Sequence, residues 1–364
     1  MNVIIQIALL GVALVSSNYA YADVDLNNIK LPPGFAIEVY ADVPHARAMA
    51  MGDNGTVFVS NRRATSVYAI VPREDAGPEV IELVSGLETP NGVAYHDGDL
   101  YVAEVSRILR FENVASRLDN MPDPDVLDVR LPNDRMHGWR YIDFGPDGKL
   151  YVAIGAPCNV CDRGAEGYAQ IVRMNADGSG RETFAEGIRN SVGFTWHPDT
   201  GELWFTDNGR DMLGDDIPPG ELNHAPAPGM HFGYPYCHAG EIPDPELGAG
   251  RSCDDYVAPA QKLGPHVAPL GLEFYNGDMF PADYKGQLFI AEHGSWNRSK
   301  KIGYRVSLVR VADGKAVSYE VFAEGWLQGE DVAGRPVDVL LLDDGSLLVS
   351  DDHAGKVYRI SYAG

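Results

Sequence analysis

The stretch Gly145-Pro146-Asp147-Gly148-Lys149-Leu150-Tyr151-Val152-Ala153-Ile154-Gly155 decides the fold class of this chain. An Asp-Gly turn opens it, a run of apolar and β-favouring residues follows, and a glycine ends it. That order marks a tight turn feeding a strand. The phrase recurs as GDNGTVFVSN from Gly52, HDGDLYVAEV from His96, HPDTGELWFTDNG from His197, YKGQLFIAEHG from Tyr284 and LDDGSLLVSDD from Leu342. Six copies spaced by about 40 to 90 residues over the 364-residue chain signal a repeat architecture. Blades of four strands need about this length, so the sequence predicts an all-β, six-bladed β-propeller.

The ends of the chain fit a closed ring. Phe35–Tyr40 reads as a strand before the first copy, and Lys356–Ile360 as a strand after the last. Pairing the first strand into the final blade would remove the exposed edges. The widest spacing, between the fourth and fifth copies, carries five prolines from Pro218 to Pro235 with Cys237 and Cys253, and reads as a long loop excursion from Pro218 to Pro269. No linker divides the chain, so residues 23–364 are expected to form one domain.

A formal net charge of −23 makes nucleic acid an unsuitable partner, because such a surface repels phosphate backbones. Residues 1–22 begin with an apolar run too short to span a bilayer comfortably and end in an Ala-x-Ala pattern at Ala20 and Ala22. This is the pattern of a cleaved signal peptide, and predicts a periplasmic or secreted protein with no membrane span after cleavage. Four cysteines in an exported chain imply two local disulfides, Cys158 with Cys161 and Cys237 with Cys253. Asp162 stands where a c-type haem motif would need histidine, so no covalent haem is expected.

Three segments carry more polar chemistry than blades require. Asn133-Asp134-Arg135-Met136-His137-Gly138-Trp139-Arg140 offers His137 as a proton acceptor. Gly187-Ile188-Arg189-Asn190-Ser191 leads into Asp207-Asn208-Gly209-Arg210-Asp211, whose oxygens suit a hard cation such as calcium as well as they suit turns. His293-Gly294-Ser295-Trp296-Asn297-Arg298-Ser299-Lys300-Lys301, with Arg335 further on, is a dense cationic group in an acidic chain. Such groups clamp carboxylates or phosphates, and a neighbouring aromatic can stack on a planar ring.

Together these segments resemble the soluble quinoprotein glucose/sorbosone dehydrogenase family, in particular its sorbosone and pyranose dehydrogenase branch. The resemblance runs from Leu31-Pro32-Pro33-Gly34-Phe35 to Ser350-Asp351-Asp352-His353. It implies a propeller that binds pyrroloquinoline quinone and Ca2+ and oxidises a sugar or alcohol, with electrons leaving to a soluble cytochrome or a quinone. By that resemblance His137 is the general base, and Arg189 and Asn190 contact the cofactor. The carbonyls of Gly209 and Arg210, with Asp207 and Asp211 near them, hold the cation. His293, Trp296, Asn297, Arg298, Lys300 or Lys301, and Arg335 surround the cofactor. The chain departs from the glucose-oxidising members at Arg335-Pro336-Val337-Asp338, where a second arginine is missing, and at Asn208-Gly209-Arg210. The alternatives are a calcium-dependent lactonase-type hydrolase and a propeller that binds carbohydrate or protein without chemistry.

Overall fold

Every one of the six repeated phrases ends in a strand whose residues are all buried: Val57–Asn61, Asp99–Ala103, Leu150–Ile154, Leu203–Asp207, Leu288–Glu292 and Leu347–Asp351. A strand buried on both faces must lie between two layers, which is why these runs are apolar with little alternation. In the computed structural model, which describes residues 24–74 and 76–364, each is the second strand of a blade. The signal-peptide reading of residues 1–22 lies outside the described residues. Among the described residues no helix is long and apolar enough to cross a membrane.

The protein is an all-β, six-bladed propeller. The innermost strands are Ala46–Met51, Gly92–His96, Ile142–Phe144, Phe194–Trp196, Pro269–Phe274 and Pro336–Leu341. Each pairs antiparallel with its buried second strand through the Asp/Gly turn that the sequence repeats. Apolar side chains fill the gaps between blades; Trp204 and Leu222 of the fourth meet Leu272, Phe274 and Leu288 of the fifth. The outer strands face water and read accordingly, as in Lys315–Glu324, mostly exposed.

Phe35–Asp42 pairs with Lys356–Tyr362 as the outermost strand of the last blade, from Phe35 opposite Tyr362 to Asp42 opposite Lys356, with one register shift between Val39 and Ala41. The ring is thus completed by its own first strand, as the sequence predicts. The long excursion is more structured than a loop. Pro219–Ala225 and Gln261–Pro265 at its two ends are the third and fourth strands of the fourth blade. Between them, Met230–His231 adds a parallel fifth strand to the third blade beside Glu182–Glu186. The Cys237–Cys253 disulfide ties this bridge, and Cys158–Cys161 closes a second, smaller ring.

Candidate functional site

The blades converge so that two kinds of position meet at one mouth of the central channel. These are the residues at or just before the start of each innermost strand and the residues just after each second strand. A cavity of about 310 Å³ lies there, lined among others by Arg47, Arg62, Arg63, His137, Trp139, Arg189, Asn190, Gly209, Asp211, His293, Trp296 and Arg335.

His137 sits at a left-handed backbone position with φ of 50°. Its Nδ1 lies 2.7 Å from the Ala156 carbonyl oxygen. A carbonyl only accepts, so Nδ1 carries the proton and Nε2 is left with its lone pair. Burial and then the Arg189 charge push the imidazole down to about 3, which keeps it neutral at physiological pH. Gly155 leaves room for it: a Cβ there would lie 2.6 Å from the His137 Cβ.

Arg189 is buried, and all three of its guanidinium nitrogens are hydrogen-bonded, with one Nη1 hydrogen left over. Nε donates to the Asn159 carbonyl at 2.9 Å, Nη1 to the Asn208 carbonyl at 3.2 Å, and Nη2 to Asn159 Oδ1 at 3.0 Å and Asp211 Oδ2 at 3.1 Å. The Asn190 Oδ1 beside it is buried with no partner among the described residues. A lone buried acceptor of this kind costs stability unless something donates to it, which makes it a mark of a ligand site.

The opposite wall belongs to the first, fifth and sixth blades. Arg47, only 1% exposed, donates to Asn91 Oδ1 at 3.1 Å and to Asp352 Oδ2 at 3.0 Å. Asp352 Oδ1 also meets His293 Nε2 at 2.8 Å. Burial would raise the Asp352 carboxyl, but His293 and Arg47 outweigh it and hold it well below the usual range. Burial takes His293 down to about 4. Arg335 donates to the carbonyls of His293 and Gly294, both at 3.0 Å. Arg62 stacks over the Trp139 ring at 4.5 Å, and burial with the nearby Arg47 charge lowers it to about 10. Among the described residues neither Arg62 nor Arg63 makes a hydrogen bond or ion pair to the protein. Trp296, 70% exposed, stands at the lip.

The structure thus brings His137, Arg189, Asn190, Gly209, Asp211, His293, Trp296 and Arg335 to one cavity. It does not bring the rest of the expected set there. Asn297, Arg298, Lys300 and Lys301 lie beyond Trp296, where the loop runs outward. Arg298 is held by the Asp215 carbonyl and Asp216, Lys301 contacts Glu330, and Lys300 is exposed. Asp207 is not among the residues that line the cavity. Its two carboxylate oxygens accept the backbone amides of Arg189 and Asn190 at 2.8 and 2.6 Å, and burial beside Glu221 pushes it up to about 8. The Arg210 side chain points to Asp244 and Glu246.

The sequence reading missed Arg47, Arg62 and Arg63. A signal for two of them was present. Arg62 and Arg63 directly follow the first repeated phrase, as Asn208 and Gly209 follow the second strand of the fourth and His293 that of the fifth.

The donor set suits a planar polyanion well. Five arginines line the cavity against a single carboxylate, Asp211. Among the described residues no group of three histidine, cysteine or acidic side chains is poised around a metal. A cation here would rest on Asp211 and on the Gly209 and Arg210 carbonyls, which take no backbone hydrogen bond outside strands.

Comparison with known proteins places this geometry in context. A family model described as TrAA12-like matches residues 29–363. An uncharacterized protein of Borreliella burgdorferi is 33% identical over 366 residues, 96% of this chain and 95% of its own. The calcium structure of the Trichoderma reesei carbohydrate-active enzyme of family AA12 superposes with a TM-score of 0.82 at 19% identity, over 92% of this chain and 97% of that one. The holo form of the pyranose dehydrogenase PQQ domain from Coprinopsis cinerea gives 0.79 at 19% identity, over 92% and 97%. At these identities the likeness is one of fold.

Proposed function

Because the chain belongs to the TrAA12-like family, as its match over residues 29–363 shows, we propose that it is a quinone-dependent dehydrogenase of sugars or related alcohols. The observation that carries this reading is the pair Arg62 and Arg63, two unpaired guanidinium groups facing a cavity in a chain of net charge −23. With so many carboxylates available, arginines left without a carboxylate partner are arginines kept for a ligand. Two further arginines, Arg47 and Arg335, stand near them, which answers the missing second arginine at Val337: the charge is supplied in space by the first blade.

Pyrroloquinoline quinone, when bound, would supply the two-electron acceptor, and Ca2+ beside it a Lewis acid. Arg62, Arg63 and Arg335 would take its carboxylates, and Trp296 or Trp139 offers a ring to stack on. The Asn190 amide and the Arg189 guanidinium would face its polar edge. His137 Nε2 would accept the proton of the substrate hydroxyl as the C–H bond on the same carbon gives up its electrons. Burial, and after it the Arg189 charge, make Nε2 a weak base, and a polyanion seated among the arginines would offset the second of these.

A hydrolase reading is not favoured. A lactonase of this shape needs acidic and amide ligands converging on a cation, whereas this cavity gathers guanidinium groups.

The test is to add Ca2+ and pyrroloquinoline quinone to the chelator-stripped protein, record the difference spectrum, and follow dye reduction with a panel of aldoses and alcohols. Absence of any quinone spectrum would overturn the reading. His137→Ala should lower turnover by roughly 10²–10⁴-fold while leaving the quinone spectrum in place. Surviving turnover would reassign the base.

A further inference from the structure

The Cys158–Cys161 disulfide spans a sequence separation of 3, and the residue after its first cysteine is Asn159. Every polar group of that side chain and its carbonyl is directed at the cavity wall or at its support. Oδ1 accepts from Arg189 Nη2 at 3.0 Å and from the Asp211 amide at 2.8 Å, and Nδ2 donates to the Asp211 carbonyl at 3.0 Å. The Asn159 carbonyl accepts from Arg189 Nε at 2.9 Å. The ring itself is pinned from behind by buried Tyr234, whose hydroxyl accepts the Cys161 amide at 3.1 Å and lies 3.5 Å from the Cys158 sulfur.

We infer that Asn159, presented by the Cys158–Cys161 ring, is the positioning residue that fixes the Arg189 guanidinium and the Gly209–Asp211 turn against each other at the cavity. The argument is geometric. Arg189 spends two of its four hydrogen bonds on this one residue, from different nitrogens, which fixes the plane of the guanidinium as well as its place. The same Oδ1 takes the Asp211 amide, so the turn bearing the two unengaged carbonyls cannot shift without disturbing the arginine. A three-bond tether across the ring removes backbone conformers that would swing Asn159 away. The consequence for catalysis rests on the reading above; the geometry itself does not need it.

Arg189 is the charged group whose field, after burial, depresses His137, and this gives a readout in the protein without any ligand. Histidine side-chain NMR of the unliganded protein across pH 3 to 8 should show the His137 midpoint rising measurably from its depressed value of about 3 in Asn159→Ala, as the Arg189 charge is freed to move away. The Arg189 Nε–H signal, which burial and its bond to the Asn159 carbonyl should protect in the native protein, should at the same time be lost to solvent exchange. Asn159→Ser, which keeps one acceptor, and the double variant Cys158→Ser/Cys161→Ser should give intermediate shifts, and they supply the reading if the alanine variant fails to fold. A folded variant with an unchanged His137 midpoint and a protected Arg189 signal would overturn the assignment. Failure of quinone binding alone would overturn only the proposed function.

Discussion

The channel of this propeller holds two charged regions that follow opposite rules. At the mouth five arginines, Arg47, Arg62, Arg63, Arg189 and Arg335, face one cavity, and even burial takes Arg62 only to about 10. Deeper, the innermost strands of the third, fifth and sixth blades bear Asp143, Glu273 and Asp338, and burial pushes them up to about 7, 8 and 7. Guanidinium is too strong a base to surrender its proton to desolvation, whereas a carboxylate avoids the cost by taking one up. The result is a mouth that stays cationic and an interior that becomes nearly neutral below pH 7, in a protein whose surface is strongly acidic. Close packing fixes the inner group as well: a Cβ on Gly271 would lie 1.8 Å from Asp338 Oδ1.

The comparison is most sharply tested at the mouth. Arg62→Ala/Arg63→Ala should weaken quinone binding by about 100-fold, taking about 1.5 kcal/mol for each charge-assisted hydrogen bond lost, as read by spectral titration. Because neither arginine makes a hydrogen bond or ion pair to the protein among the described residues, and only the stacking of Arg62 on Trp139 is lost, the melting temperature should fall little. A large drop in stability would mean that the mouth is built for the fold and not for a ligand.

The interior makes the reverse prediction. Glu273 is protonated in the folded protein up to about pH 8 but ionises in the unfolded chain near its ordinary value, so the unfolded state binds fewer protons between those limits. Stability from this group is therefore lost as pH rises from about 4.5 to about 8. Glu273→Gln should stabilise the protein at pH 8 by on the order of 3 kcal/mol and change little at pH 4, in thermal melts followed by circular dichroism. Equal effects at both pH values would show that Glu273 keeps its charge in the channel. The smallest expected effect is outside both regions: Lys300→Ala/Lys301→Ala should change quinone affinity less than about twofold, since surface substitutions away from a site typically cost within ~0.5 kcal/mol.

The ring was readable because its signal is local and repeated. An Asp/Gly turn and a run such as Leu203–Asp207 are contiguous in sequence, and six copies reinforce one another. The site was readable only where its residues fall in conspicuous phrases. His137, Arg189 and His293 do, but Arg47 is a single arginine at the start of an innermost strand, and its role depends on Asp352, which lies beside it only because the ring closes. Lys300 and Lys301 mislead for the converse reason. Only four and five residues after Trp296, they lie outside the residues that line the mouth. The excursion after Pro218 hid strands because Pro219–Ala225 and Gln261–Pro265 pair across a wide gap in sequence and Met230–His231 pairs with another blade, and no local pattern reports either.

The pairing of Phe35–Asp42 with Lys356–Tyr362 also has a kinetic consequence. The last blade cannot be assembled until almost the entire polypeptide has been synthesised, and its earliest strand must wait through that interval without a neighbour. Contacts between such remote segments carry a large loop-entropy cost before they reward it, so completing the ring is expected to be the slow step of acquiring the native state. An arginine-lined mouth drawn from the first and last blades, Arg47 with Asp352 and Arg335, is therefore among the last features to form. A ligand that binds there recognises a finished molecule and discriminates against every partly assembled one.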